Sequence, residues 1–163
     1  DDYCFENCSK LTEVIIPSSV SSIGFASFRN CSSLKQITIP SSVISIDDYC
    51  FSECSSLTDV SIPSSVKSIG KYSFEGCSSL KQIIIPSSVK SIDDYCFSQC
   101  SSLIELTIPS SVISYEENII EDCSSLKEIT IHSSISSYKR ILFNDCSSLN
   151  KVNITSRYSY FTY

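Results

Sequence analysis

The chain has 163 residues and a formal net charge of −6, from 12 basic and 18 acidic side chains. An acidic chain without a basic stripe excludes a nucleic-acid footprint, and no apolar run approaches the ~18–20 residues needed to span a membrane. About a quarter of the residues are Ser, Met and Trp are absent and 42% of residues are hydrophobic, which points to a repeat array rather than a disordered chain.

Residues 1–7, DDYCFEN, are the tail of a unit. The unit is then written in full at 8–30, 31–53, 54–76, 77–99, 100–122 and 123–145, and incompletely at 146–163. A fixed period of 23 residues marks a solenoid, because one unit cannot bury its apolar side chains until neighbours stack on it. No linker or composition shift interrupts the series, so 1–163 reads as one domain. The start in mid-unit, without Met, is expected of a fragment of a longer protein.

Each unit opens with CSSL or a close variant. Three apolar columns follow, represented by Leu34, Ile37 and Ile39 in the second complete unit. The last two stand two residues apart and are rich in β-branched residues, the period of a strand. Pro17, Pro40, Pro63, Pro86 and Pro109 come next. Proline donates nothing to a ladder and ends the strand, and the SS pair after it suits a turn. The V-x-S-I segment, as at Val43–Ile46, predicts a short second strand. The DYCFSEC segment, with its column of Phe5, Phe28, Phe51, Phe74, Phe97 and Phe143, predicts a helical turn held by packing. Seven stacked first strands would make a parallel sheet roughly 30 Å across at the usual spacing.

Seven of the ten cysteines stand 23 apart, at Cys8, Cys31, Cys54, Cys77, Cys100, Cys123 and Cys146, while Cys4, Cys50 and Cys96 stand 46 apart. A regular column reads most simply as packed thiols. Disulfides between cysteines four apart, or between column neighbours, are the alternative. The acid pairs Asp1-Asp2, Asp47-Asp48 and Asp93-Asp94 recur in alternate units, followed by Glu116-Glu117. Pairs two coils apart are ~10 Å from each other, too far for one ion, so they read as a solvated edge. Cys-x-x-x-Cys without a second ligand pair is no zinc signature. His132 is the only His, too few for a serine-histidine pairing. Only three Gly are present and no phosphate-cradling loop is written. No metal, cofactor or enzymatic constellation is expected. Asn7, Asn30 and Asn153 fit the N-glycosylation acceptor pattern, the first two beside the Cys column.

Two columns alternate outward from the first strand. One is Glu13, Gln36, Asp59, Gln82, Glu105, Glu128 and Lys151, and the other is Ile15, Thr38, Ser61, Ile84, Thr107, Thr130 and Asn153. They vary where the inward columns do not. This pattern makes them the candidate binding face, with an acidic tendency that favours a basic or cation-bridged partner.

The spacing C-x-x-L-x-x-I-x-I-P-x-S-V-x-x-I-x-x-x-x-F-x-x-C resembles the BspA-type (Treponema pallidum-type) leucine-rich repeat over essentially the whole chain. It is most specific over residues 1–112. The IPSSV-x-SI and CSSL elements are most similar to the expanded surface-protein sets of trichomonad and amoeboid parasites. The resemblance implies an α/β-type leucine-rich-repeat solenoid: a right-handed curved superhelix of 23-residue coils, with a parallel β-sheet on one face and short strands and helical turns on the other. It also implies a cell-surface or secreted protein without enzymatic activity, binding a protein or glycan ligand on host cells, matrix or other microbes. The alternative is a structural solenoid that self-associates through an end coil or an aromatic C-terminus.

The pattern departs from itself near the end. His132 replaces Pro, Tyr115 and Tyr138 replace Ile, Ile119 and Leu142 replace the small residue before Phe, and the last unit reads ITSRYSYFTY. Such an end is either a C-terminal cap or an aromatic association surface.

Overall fold

The computed structural model describes residues 1–115, 118–133 and 143–156. In chain order its strands are β1 (Gln36–Thr38), β2 (Ser45–Ile46), β3 (Asp59–Ser61), β4 (Ser68–Ile69), β5 (Ser91–Ile92), β6 (Glu105–Ile108), β7 (Ser114–Tyr115), β8 (Ile120–Glu121), β9 (Glu128–Ser133), β10 (Phe143–Asn144) and β11 (Lys151–Ser156). Every pairing is parallel and shifted by one unit: Gln36 faces Asp59, Ile46 faces Ile69, Leu106 faces Ile129. The chain is therefore a parallel solenoid of 23-residue coils.

The V-x-S-I segments form the sheet β2-β4-β5-β7, extended by the Ile23–Ile46 bridge. The expected sheet of first strands is split. One part is β1-β3 with an Ile15–Thr38 bridge, and the other is β6-β9-β11. Between them Gln82–Ile84 forms no ladder, although Ile83 and Ile85 remain buried.

The inward columns form one continuous core from Ile23 to Cys146. Leu34, Val43, Phe51, Leu57, Val66, Phe74, Leu80, Val89 and Phe97 are fully buried. The expected turn after Pro40 closes by an i→i−3 bond, and so does an additional turn at Cys31–Leu34 that was not expected from the sequence. The Leu34 amide donates to the Cys31 carbonyl at 2.9 Å and the Val43 amide to the Pro40 carbonyl at 3.0 Å. Serine also links coils, since half-buried Ser65 Oγ donates to the Val43 carbonyl of the preceding coil at 2.6 Å.

The DYCFSEC segment is a series of turns, and no helix occurs among the described residues. Its amides go alternately in two directions. Tyr49, Phe51 and Glu53 donate to Lys71, Ser73 and Glu75 of the next coil, at 2.8, 2.8 and 2.7 Å. Ser52 and Cys54 donate back three residues. Tyr49 and Glu53 have φ of 58° and 60°, which a right-handed helix does not admit. The second of these columns holds Asn7, Asn30, Glu53, Gly76, Gln99, Asp122 and Asp145, largely residues that tolerate the left-handed region. The first holds Tyr3, Ala26, Tyr49, Tyr72 and Tyr95, where ring stacking offsets the cost. Centroids are 4.8 Å apart for Tyr49–Tyr72 and 5.0 Å for Tyr72–Tyr95. In the coil with Ala26, Phe25 supplies the ring instead, 5.5 Å from Tyr49. A second, interior stack runs Phe5, Phe28, Phe51, Phe74, Phe97, with centroids 5.2 to 5.8 Å apart.

All ten cysteines are free thiols, and eight are buried. The column has a polar task as well as a packing one. Cys31, Cys54, Cys77, Cys100 and Cys123 each donate to the carbonyl of the Phe 26 residues earlier, at 3.1 to 3.2 Å. The Phe28 and Phe51 carbonyls already accept the Cys31 and Cys54 amides at 3.1 Å, so the thiol, a small hydrophobe that carries a weak donor, adds a second bond from the next coil to the same oxygen. Burial pushes the Cys31 thiol up to about 11 and Cys100 up to about 12, which suppresses the reactive thiolate. Alkylation of the native protein followed by mass spectrometry should therefore modify Cys4 and Cys8 rapidly. Cys146, at the edge of the core, should follow, and the other seven should react only on unfolding.

The acid pairs are not merely a solvated edge. Asp2 accepts the Phe25 amide at 2.9 Å, and Asp48 accepts the Lys71 amide at 2.8 Å, each 23 residues on. This close approach requires Gly24 and Gly70 beside it. A Cβ on Gly70 would stand 2.5 Å from the Asp48 carboxylate, 2.7 Å from the Asp48 backbone nitrogen and 2.8 Å from the Asp47 carbonyl carbon. The Gly coils also carry Ser where the Asp coils carry Cys, and Ser73 Oγ donates to the Asp47 carbonyl at 2.9 Å. Over residues 1–99 the coils thus alternate between two types, and this feature repeats every 46 residues within the 23-residue array.

In the last coils the proline column is broken twice, at His132 and Thr155. Proline stops β6 at Ile108, but His132 and Thr155 each have an amide to donate, so β9 and β11 each run six residues, through Ser133 and Ser156.

A candidate binding face and an uncovered end

The structure places Glu13, Ile15, Gln36, Thr38, Asp59, Ser61, Gln82, Ile84, Glu105 and Thr107 at the surface of the first-strand segments. Ile15 is 84% exposed and Ile84 79%, apolar side chains with no core role. The register brings neighbours in each column side by side, as with Gln36 and Asp59 or Thr38 and Ser61. A groove of about 260 Å³ lies between Glu13–Ile16 and Gln36–Thr38, reaching Pro40. Basic residues border the acidic column one position earlier, at Lys35, Lys81 and Lys127.

Glu128 and Thr130 differ from the rest in being half-buried. Lys151 Nζ donates to Glu128 Oε1 at 2.8 Å, and Asn153 Nδ2 donates to the same oxygen at 2.7 Å and to Thr130 Oγ1 at 3.2 Å. The Lys151 hydrogen bond holds the Glu128 carboxyl below the usual range. This last part of the face is engaged within the chain. The columns already set Lys151 after Glu128 and Asn153 after Thr130, but their variation alone did not distinguish a bonded pair from a free surface.

Other sequence candidates have structural partners. His132 Nδ1 lies 2.6 Å from Thr155 Oγ1. Asn30 Nδ2 donates to Asn7 Oδ1 at 2.8 Å, and the Asn153 amide nitrogen is used as described. Glu116-Glu117, Tyr138, Leu142 and the aromatic residues of 157–163 lie outside the described residues, as does the side chain of Tyr115. Among the described residues no group of His, Cys, Asp and Glu could hold a metal, and no helix is long and apolar enough to cross a membrane.

The opposite edge carries the exposed rims of the Tyr stack. Arg29 lies over Tyr49 and Lys71 over Tyr72, at 5.6 and 5.4 Å from the ring centroids, and Asn118 Nδ2 donates to the Tyr95 hydroxyl at 3.1 Å. The ring faces are covered by one another, so this edge offers hydroxyls rather than stacking platforms.

The first coil shows what an interior coil hides. Leu11, Val14, Ile16 and Val20 pack on the core but remain partly exposed, whereas their equivalents Leu34, Ile37, Ile39 and Val43 are buried. A cavity of about 170 Å³ opens there.

A stacked parallel array with a fixed interior and a variable strand face defines a leucine-rich-repeat solenoid, a class whose members typically act as non-enzymatic binding modules. The chain belongs to the BspA type leucine rich repeat region family, which matches residues 1–93 and 70–163. Among solved structures it is similar to the Treponema pallidum leucine rich repeat protein TpLRR, with 24% identity over 88% of this chain and 70% of that one and a TM-score of 0.75. It is also similar to the pneumococcal vaccine antigen PcpA, with 23% identity, 81% of this chain covered and a TM-score of 0.74, but it spans only 33% of PcpA. A leucine-rich repeat protein from Bacteroides ovatus shares 28% identity over 94% of this chain and 57% of that one, at a TM-score of 0.54. Among curated proteins no match was found.

Proposed function

We propose that this solenoid is an adhesion module that engages a protein or glycan on host cells, matrix or other microbes through its strand face. The observation that carries the reading is the contrast between columns. The inward positions repeat almost unchanged, while Glu13, Gln36, Asp59, Gln82 and Glu105, with their neighbours Ile15, Thr38, Ser61, Ile84 and Thr107, are exposed and differ from coil to coil. Exposed isoleucines beside carboxylates and amides offer the mixture of apolar anchor and polar rim that binding surfaces use. Many modest contacts along a rigid array suit a partner that is itself extended or repeated. The likeness of CSSL and IPSSV-x-SI to trichomonad and amoeboid surface-protein sets supports a cell-surface or secreted setting.

The test is binding of the purified chain to immobilised host cells and matrix proteins, with Asp59→Lys and Glu105→Lys as variants. Charge reversal at both positions should weaken a saturable interaction at least tenfold without moving the thermal midpoint. Rising ionic strength should weaken the wild-type interaction too. An interaction that survives both substitutions would put the ligand on another surface.

A further inference from the structure

Two rows of exposed side chains, one before the proline turn and one after it, share one spacing. On the first-strand segments the row is Ile15, Thr38, Ser61 and Ile84, and on the second sheet it is Ile44, Lys67, Lys90 and Ile113. Each row sets two polar residues between isoleucines three coils apart, about 14 Å at the usual strand spacing. Ile44 and Ile113 are 58% and 63% exposed, so all four isoleucines stand outside the core. Ile84 lies in an interior coil and is nearly as open as Ile15, so the exposure is a property of the row and not of the first coil. The second row is a continuous ladder: the Lys67 amide donates to Ile44 at 2.8 Å, that of Lys90 to Lys67 at 2.7 Å and that of Ile113 to Lys90 at 3.0 Å. It therefore sets two lysines side by side, and like charges so placed repel. Among the described residues neither lysine enters an ion pair. The first row has the opposite charge beside it, with Glu13 and Asp59 two residues before Ile15 and Ser61.

We infer that these rows dock on each other between copies of this chain, the second-sheet row of one molecule lying against the first-strand row of the next. The shared spacing lets both isoleucine pairs meet at once. It also sets Lys67 and Lys90 over Thr38 and Ser61, beside the Asp59 carboxylate. Pairing of like rows is disfavoured, because it brings lysines to lysines or carboxylates to carboxylates across the contact. A polyanion would neutralise the lysines but leave Ile44 and Ile113 in water, whereas the strand row answers both features. Each copy gives one row and receives on the other, so the contact is head-to-tail and passes from copy to copy instead of closing in a two-fold pair. The inference uses the strand face described above but not the ligand proposed for it.

Sedimentation velocity of the full chain over a concentration series tests it. The wild-type chain should give species larger than a dimer as concentration rises. One variant, Lys67→Ser with Lys90→Ser and Ile113→Ser, removes the second-sheet row. Another, Asp59→Lys with Ile84→Ser, removes the strand row. Each alone should stay monomeric, with an unchanged thermal midpoint. Mixed in equal amounts they should form a heterodimer and nothing larger, since each supplies the row that the other lacks. The first variant keeps the strand face, so it should keep whatever binding to host cells or matrix the wild type has, and the two readings fail or succeed separately. A wild-type chain that remains monomeric, a variant that associates as the wild type does, or a mixture that stays as monomers or grows beyond a dimer would overturn the inference.

Discussion

Phe74→Ala is expected to lower the unfolding free energy by about 3–5 kcal/mol, the range for emptying a buried aromatic site. Phe74 is fully buried between Phe51 and Phe97, with centroids 5.4 and 5.8 Å away. The ring makes two stacking contacts, each worth about 0.5–1.5 kcal/mol beyond its area, and no small side chain can restore them. Urea unfolding followed by circular dichroism checks it. Phe5→Ala supplies the contrast, because Phe5 stacks on one ring, Phe28, and is 38% exposed. Its loss should cost under about half as much as that of Phe74 by the same burial argument. Equal effects at the two positions would show that stability is not distributed along the stack as neighbour interactions predict.

Gly70→Ala should be nearly as damaging, for an unrelated reason. The added methyl group has no room beside the backbone of Asp47 and Asp48. Overpacking of this kind costs about 1–3 kcal/mol, occasionally more, and here it also threatens the bond from the Lys71 amide to Asp48. Shortening the carboxylate with Asp48→Ala should rescue only part of the loss, since two of the three closest atoms are main chain. Gly76→Asn should do little by comparison. That position has φ of 68°, which Asn30 adopts at 58° in its own coil, and its nearest neighbour is the movable Glu53 side chain. Thermal denaturation of the three variants tests the ordering, and a well-tolerated Gly70→Ala would refute the close-approach account.

The core was legible because it is periodic. Leu34, Ile37, Ile39, Val43, Ile46 and Phe51 recur in columns, and columns in a stacked array must either face inward together or outward together. Pro40 and the serines after it marked a strand end and a turn for the same reason. What escaped were features of pairs of coils. The carboxylate of Asp48 looked like solvated charge because its partner is an amide 23 residues later, which leaves no trace in local composition. The Cys54 thiol looked like packing because its acceptor is a main-chain carbonyl, which every residue has. The turn at Tyr49–Glu53 resembled a helix because left-handed backbone at a tyrosine is rare, and only the stack that supports it makes it reasonable. The candidate face was visible as a pattern of variation, and Lys151 stood next to Glu128 in its column, but variation alone did not tell that this pair bonds to itself.

The alternation of Asp-Asp coils with Gly coils constrains how such a gene can change length. Excising one 23-residue stretch from the middle would set two Asp-Asp coils, or two Gly coils, against each other. The first juxtaposition leaves no room for the carboxylate; the second leaves an amide without its acceptor. Excising or duplicating two adjacent stretches restores every contact. Copy-number variation in this array should therefore be tolerated in steps of two, and the heritable module is a doublet.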